Sequence, residues 1–258
     1  ATRFVGSVVF REAGFLLGST FGLSSFGGLA DFTNVYFNKT AYFGGVKFTD
    51  LAYFVNARFD DDLNMEDSRL YNMRLDNVSL QEDSKINLNN SDFTKLEVRW
   101  AVINDRLVYN GAAYLAMVKN YKSLEWFDDA DDCYYQYRRI GQDQAPWGWG
   151  KISDLISWLS CGYGVRPSHT VILSLSLIIL FTAIFWGAHA LQPSASASPG
   201  SSISINDAFY FSSMWFLGRA PQNISIIEGF EFLTVFETLA GWLLMALFLV
   251  TMSKVMLR

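Results

Sequence analysis

Between residues 30 and 61 a large apolar residue recurs about every five positions, at Phe32, Phe37, Phe43, Phe48, Phe54 and Phe59. A small or aliphatic residue stands two places before each: Ala30, Val35, Ala41, Val46, Ala52 and Ala57. Single-residue insertions, Thr40 and Leu51, follow every second unit. A weaker continuation runs through Leu70, Leu75, Leu80, Leu88, Phe93 and Val98, and an earlier stretch, Phe10, Phe15, Phe21 and Phe26, fits with gaps. A period of five is neither the 3.6 of a helix nor the 2 of a simple strand. A short repeat predicts a solenoid, in which each unit buries its face only by stacking on its neighbours. A chance aromatic pattern in a β-sandwich is the competing reading, and the six consecutive matches count against it.

The pattern then changes period. Residues 105–140 place Leu107, Tyr114, Leu115, Val118, Tyr121 and Leu124 at three- to four-residue spacing, which predicts helices. Asp128–Asp131 reads as a turn and helix start, and a second helix is expected over 132–140, ending on Arg138 and Arg139 as the dipole prefers. Residues 145–165 hold Pro146, Trp147 and Trp149 and then the amphipathic stretch KISDLISWLS, suited to a membrane interface. The Gly162-Tyr163-Gly164 that follows reads as a linker turn.

Two long apolar runs close the chain. Val171–Ala190 contains no Asp, Glu, Lys or Arg, and Phe232–Met252 contains one acid, Glu237. Twenty helical residues rise about 30 Å, the thickness of a bilayer's hydrocarbon core, so membrane spans are expected over 171–190 and 232–252. Arg138, Arg139, Lys151 and Arg166 precede the first run, Lys254 and Arg258 follow the second, and Arg219 is the only Lys or Arg from 191 to 230. That distribution predicts cytoplasmic termini and an outward loop. Within the loop, 191–204 reads as a flexible exposed connection. Residues 206–217 are apolar but too short to span, which predicts a re-entrant helix started by Asn206 or Asp207. Residues 218–230 return irregularly through Gly218, Pro221 and Gly229. Trp186 and His189, and His169 at the other end, read as interface anchors.

Composition narrows the function. The 258 residues carry a net charge of −5, which argues against nucleic acid as a partner. Two cysteines, Cys133 and Cys161, make no disulfide framework and read as reduced thiols. The two histidines make no metal site, the solenoid offers no nucleophile or phosphate loop, and no catalytic constellation is present. Neither an enzyme nor a cofactor is expected. The start lacks both Met and the pattern of a signal peptide, so the chain is readable as a piece of a longer one.

The repeat of residues 8–100 resembles the pentapeptide-repeat family, which implies a right-handed four-sided β-helix of four to five coils. Residues 105–140 resemble one tetratricopeptide helix pair. Ala208-Phe209-Tyr210-Phe211-Ser212 is similar to the pore-helix opening of prokaryotic two-transmembrane potassium-channel-like proteins. Phe236-Glu237-Thr238-Leu239-Ala240-Gly241, with Leu244 to Phe248, is similar to their inner helix. This resemblance covers residues 165–258 and implies a homotetramer, membrane lipid around it and a permeant ion. The fold class expected is therefore mixed: a β-helix over 1–100, a helical hairpin over 101–145, a linker over 146–170 and a two-span pore domain over 171–258.

The resemblance breaks at the filter. Leu217, Gly218, Arg219, Ala220, Pro221, Gln222 and Asn223 fall where that family has T-T-V-G-Y-G-D. A potassium filter needs successive backbone carbonyls aimed at the axis, so potassium selectivity is not carried over. The candidate filter residues are Trp215, Phe216, Leu217, Gly218, Arg219, Ala220 and Pro221. Arg219 could form a ring of positive charge, pair with Glu228, Glu231 or a carbonyl, or lie exposed at the outer mouth. The candidate gate and hinge residues are Glu237, Gly241, Leu244 and Phe248, on one stripe with Thr234 and Thr251. Glu237 faces either the pore or the back of the re-entrant helix, and Gly241 is either a hinge or a close-packing position. The function expected is an ion channel with an atypical filter and a cytoplasmic β-helix serving as scaffold or gating domain. The competing reading is a non-conducting scaffold whose loop is plugged by Trp215, Phe216 and Arg219.

Overall fold

Phenyl rings stacked at the spacing of neighbouring strands build the N-terminal half. In the computed structural model, which describes residues 1–194 and 202–256, the chain forms two units, Ala1–Gln144 and Ala145–Arg258.

The first unit opens as a β-solenoid of about four turns. The first coil holds β1 (Arg3–Phe4), β2 (Val8–Val9), β3 (Gly14–Phe15) and β4 (Ser19–Thr20). The second holds β5 (Ser25–Phe26), β6 (Ala30–Asp31), β7 (Tyr36–Phe37) and β8 (Ala41–Tyr42). The third holds β9 (Lys47–Tyr53), β10 (Arg58–Phe59) and β11 (Leu63–Asn64), and the fourth β12 (Arg69–Arg74), β13 (Ser79–Leu80) and β14 (Ile86–Asn87). A last strand, β15 (Asp92–Glu97), lies on β12. All solenoid pairings are parallel, between coils. The offset between coils is 22 residues at Arg3↔Ser25, Ser25↔Lys47 and Lys47↔Arg69, and 23 at Arg69↔Asp92.

The six predicted phenylalanines and their six small partners are all buried. The rings stack in columns: Phe10, Phe32 and Phe54 at 4.9 and 4.7 Å, and Phe15, Phe37 and Phe59 at 4.9 and 5.0 Å. The stack spacing equals the strand spacing of about 4.8 Å, so ladder bonds and ring contacts reinforce one another. Bends are made by residues in the left-handed region. Glu12, Asn34, Asn56 and Asn77 form one such corner, with φ between 54° and 62°. Asparagine tolerates this conformation. Its amides also ladder along the corner, from Asn77 to Asn56 at 2.8 Å and from Asn56 to Asn34 at 3.1 Å.

Three helices follow: α1 (Trp100–Ile103), α2 (Gly111–Ser123) and α3 (Phe127–Gln144). Asn110 caps α2 by accepting from Ala112 N and Ala113 N. The expected turn at Asp128–Asp131 is instead the first part of α3. The chain turns earlier, at Leu124–Trp126, with Glu125 at φ 60°. The acids suit a helix N-terminus, so the same residues fit the helix itself.

The second unit is helical. It runs α4 (Trp149–Cys161), a 3-10 turn at Gly162–Gly164, α5 (Pro167–Gly187), β16 (Leu191–Pro193), α6 (Ile205–Phe216), β17 (Ile224–Ile226) and α7 (Glu231–Met256). Helices α5 and α7 are long and apolar enough to cross a membrane, with mean hydropathy 2.2 and 2.0. Helix α7 extends past the predicted span 232–252 at both ends, whereas α5 begins four residues before the predicted 171–190 and ends three residues short of it. Strands β16 and β17 pair antiparallel, Leu191 opposite Ile226, so the return after α6 is not wholly irregular. The expected flexible connection lies partly outside the described residues, at 195–201. The cap of α6 is Ser204 rather than Asn206 or Asp207. Ser204 accepts from Asp207 N, and the Asp207 carboxylate accepts from Ser204 N at 2.9 Å, which makes a capping box.

Candidate functional site

Helix α6 has 12 residues, about 18 Å of rise against the ~30 Å of a bilayer core. It packs between α5 and α7. Ala208, Phe211, Ser212 and Phe216 form its buried face. Phe211 meets Phe185 of α5 edge-on at 5.2 Å. The Ser212 hydroxyl lies 3.0 Å from the Ile178 carbonyl of α5 and also hydrogen-bonds Glu237 of α7. One hydroxyl thus ties α6 to both long helices. Glu237 is fully buried, and its second oxygen, Oε2, has no partner among the described residues. A buried carboxyl half-satisfied in this way is held to its one partner, because releasing it would leave the whole group bare.

One turn further on, Gly241 carries the close approach. A Cβ there would stand 2.1 Å from the Phe216 carbonyl oxygen. Thr238 donates to the Trp215 carbonyl at 2.9 Å. Both contacts fall on the C-terminal turn of α6, whose last carbonyls need partners. Thr234, Glu237, Gly241, Leu244 and Thr251 are buried in the unit, while Phe248 is half-buried. The predicted stripe is therefore one face of α7, and it faces this chain's own helices. Glu237 takes the back of α6, and Gly241 serves close packing.

The loop after α6 has a local explanation that its channel-like alignment concealed. Arg219 N donates to Met214 O at 2.8 Å and Gly218 N to Trp215 O at 2.9 Å. With Gly218 at φ 76°, this is the helix-ending motif that favours glycine at its left-handed position. Leu217 is the C-cap of α6, and Gly218 is the left-handed residue that follows it. A Cβ on Gly218 would also meet Trp242 Nε1 at 2.7 Å. Leu217, Gly218, Arg219 and Ala220 are exposed, and Pro221 is buried. Arg219 makes no ion pair with Glu228 or Glu231 among the described residues. Trp215 is half-buried and Phe216 buried, both turned into the unit. Tyr210, Met214, Arg219, Pro221, Gln222 and Asn223 surround a recess of about 470 Å³. Gln222 and Asn223 were not among the expected filter residues. Among the described residues no group of three or more His, Cys, Asp or Glu could hold a metal.

Residues 21–69 match the family model described as pentapeptide repeats (9 copies). The N-terminal domain is a pentapeptide-repeat domain. The match lies within the solenoid and stops short of both helical segments. No curated protein and no solved structure matches the chain. Inside, the pentapeptide-repeat domain is a filled rod, as expected. Its outer surface differs, because α2 stands beside the strands and leaves a groove of about 710 Å³.

Proposed function

We propose that the C-terminal unit is the subunit of an oligomeric ion-conducting pore, probed most directly at the loop 217–221, and that the pentapeptide-repeat domain is its scaffold. The observation that carries this reading is α6: a helix too short to span, held between two helices of spanning length, and ending in exposed irregular backbone. With α5 and α7 in lipid, the exposed residues Leu217–Ala220 would set backbone carbonyls that have no partner among the described residues at membrane depth. Such backbone is tolerated only against protein or along a water-filled path. Copies of the chain arranged around the loop supply both.

Charge supports a filter unlike that of a potassium channel. Arg219 follows the C-terminal end of α6 directly, where the helix dipole alone would favour a cation. An exposed guanidinium there opposes cations, and a ring of them disfavours cation passage. Gly218 serves the helix end, so no residue of the loop has the glycine freedom that a carbonyl-lined filter uses.

The tether supports a fixed filter. Ser212, Thr238 and Gly241 hold the last turn of α6 against the long helices, which positions the loop that follows. The test is ion flux from liposomes holding the full chain, paired with subunit count by native mass spectrometry in detergent. The reading expects an oligomer and flux that an Arg219 substitution alters. A monomer in every detergent sinks it.

A further inference from the structure

We propose that the outer groove of the pentapeptide-repeat domain binds a small phosphate-bearing ligand of nucleotide type. This site is independent of any membrane role.

The floor is the outward face of β9, β12 and β15, and the wall is α2. Parallel register stacks equivalent positions of successive coils, so a single column runs Arg3, Ser25, Lys47, Arg69, Asp92. In-register neighbours on adjacent strands lie about 4.8 Å apart. Lys47 and Arg69 are therefore like charges held side by side, an arrangement that is unfavourable unless something compensates it. Lys119 of α2 brings a third cation from the opposite wall.

None of the three has an ion-pair partner among the described residues. Several cations elsewhere on the solenoid are ion-paired, though among the described residues Lys39 and Lys85 are not. Arg58 is paired with Asp60 at 2.7 Å, Arg74 with Asp76 at 2.7 Å, and Lys95 with Glu97 at 2.5 Å. The groove has one carboxylate, Asp92, and it pairs with neither neighbour. Three cations against one acid leave net positive charge in a protein of net charge −5.

Two further features choose the ligand class. The cavity of about 710 Å³ falls in the range of roughly 300–1,000 Å³ typical of small-molecule sites. Tyr71 lines it and is 51% exposed, an open ring face beside the cations. Phosphate oxygens match lysine and arginine donors, and an aromatic base stacks on an exposed ring. The pair of features fits a phosphate with an attached base better than a bare inorganic anion. Thr94, also in the lining, adds a hydroxyl.

Calorimetric titration of the full chain in detergent at low salt tests this, with ATP and inorganic pyrophosphate as probes. Both are expected to bind, ATP the tighter. Lys47→Ala with Arg69→Ala is expected to weaken both at least about tenfold, as the loss of charge-assisted hydrogen bonds implies. Lys119→Ala, on the other wall, should weaken both as well. Tyr71→Ala should weaken ATP and leave pyrophosphate unchanged. All four side chains are exposed, so circular dichroism should show the variants folded. Absence of binding by either probe, or ATP binding that the Lys47/Arg69 double variant leaves intact, overturns the proposal. So does a single-stranded oligonucleotide that binds while free ATP does not.

Discussion

Ser212 and Glu237 form a buried hydrogen bond between the short helix α6 and the long helix α7. Its partners have no obvious replacement, since Glu237 Oε2 is already unpaired among the described residues. Ser212→Ala removes the one partner and should destabilise the helical unit by about 1–3 kcal/mol, the usual cost of a buried polar group left bare. Glu237→Gln keeps a hydrogen-bonding side chain of the same shape and should cost less than Glu237→Ala. Combining Ser212→Ala with Glu237→Leu should cost less than the sum of the two single changes. Thermal unfolding in detergent measures all of these. Additive losses would show that the two residues do not act together.

Gly241 separates two roles by the sign of one substitution. On an exposed helix position, Gly→Ala stabilises by about 1 kcal/mol. At Gly241 the added carbon would meet the Phe216 carbonyl at 2.1 Å. The backbone of α6 must then move, and overpacking of this kind costs about 1–3 kcal/mol. Gly241→Ala should lower the melting temperature. A hinge that only needs flexibility would give the opposite shift.

Asn120 closes the open edge of the solenoid. Its side chain accepts from Leu96 N at 2.9 Å and donates to Leu96 O at 2.8 Å, as the backbone of a further strand would. Asn120→Leu leaves both buried backbone groups unpaired, at about 1–3 kcal/mol each. Hydrogen exchange should speed up at Leu96 in this variant and stay unchanged in the first two coils.

Acid should loosen the solenoid in a defined window. Burial disfavours the charged form of Asp31, but hydrogen bonds from Thr33 and the Arg11 guanidinium outweigh it and hold the carboxyl below its ordinary 3.8. Hydrogen bonds from Arg58 and then Tyr36 hold Asp60 low, and the Asp62 N–H and the Thr40 hydroxyl hold Asp61 low. Each carboxylate is more acidic folded than unfolded. Its contribution is complete above the unfolded value of 3.8 and is lost as pH falls through the lower folded values. Melting curves taken between about pH 6 and pH 2 should decline below about pH 4. Asp60→Asn should flatten part of that decline.

The solenoid was legible because its code is local. Each of Phe32 to Phe59 is five or six residues from the next, and every one has an alanine or a valine two places back. The span-length helices were legible for a similar reason, since composition alone marks them. The strands β16 and β17 were not, because three residues each carry no readable alternation and their partner lies some thirty residues away. At Asp128–Asp131 the helix start was legible, with Asp128 and Asp129 in the first turn of α3, but the turn was misplaced, since a turn and a helix N-terminus both favour acids. Gly218 misled through alignment, because its filter-like place hid its local work in ending the helix. Lys47 and Arg69 escaped notice because a 22-residue offset joins them only once the coils have formed. Lys119 joins them from a helix that no repeat predicts.

In the proposed pore, ions pass through an oligomer at the loop after α6. Current across a planar bilayer holding the full chain, under a tenfold KCl gradient, tests it most directly. The proposed pore should give current whose reversal potential lies on the chloride side of zero and moves toward potassium in Arg219→Glu. Silent bilayers from a folded oligomer, or a reversal potential that Arg219→Glu leaves in place, would contradict it.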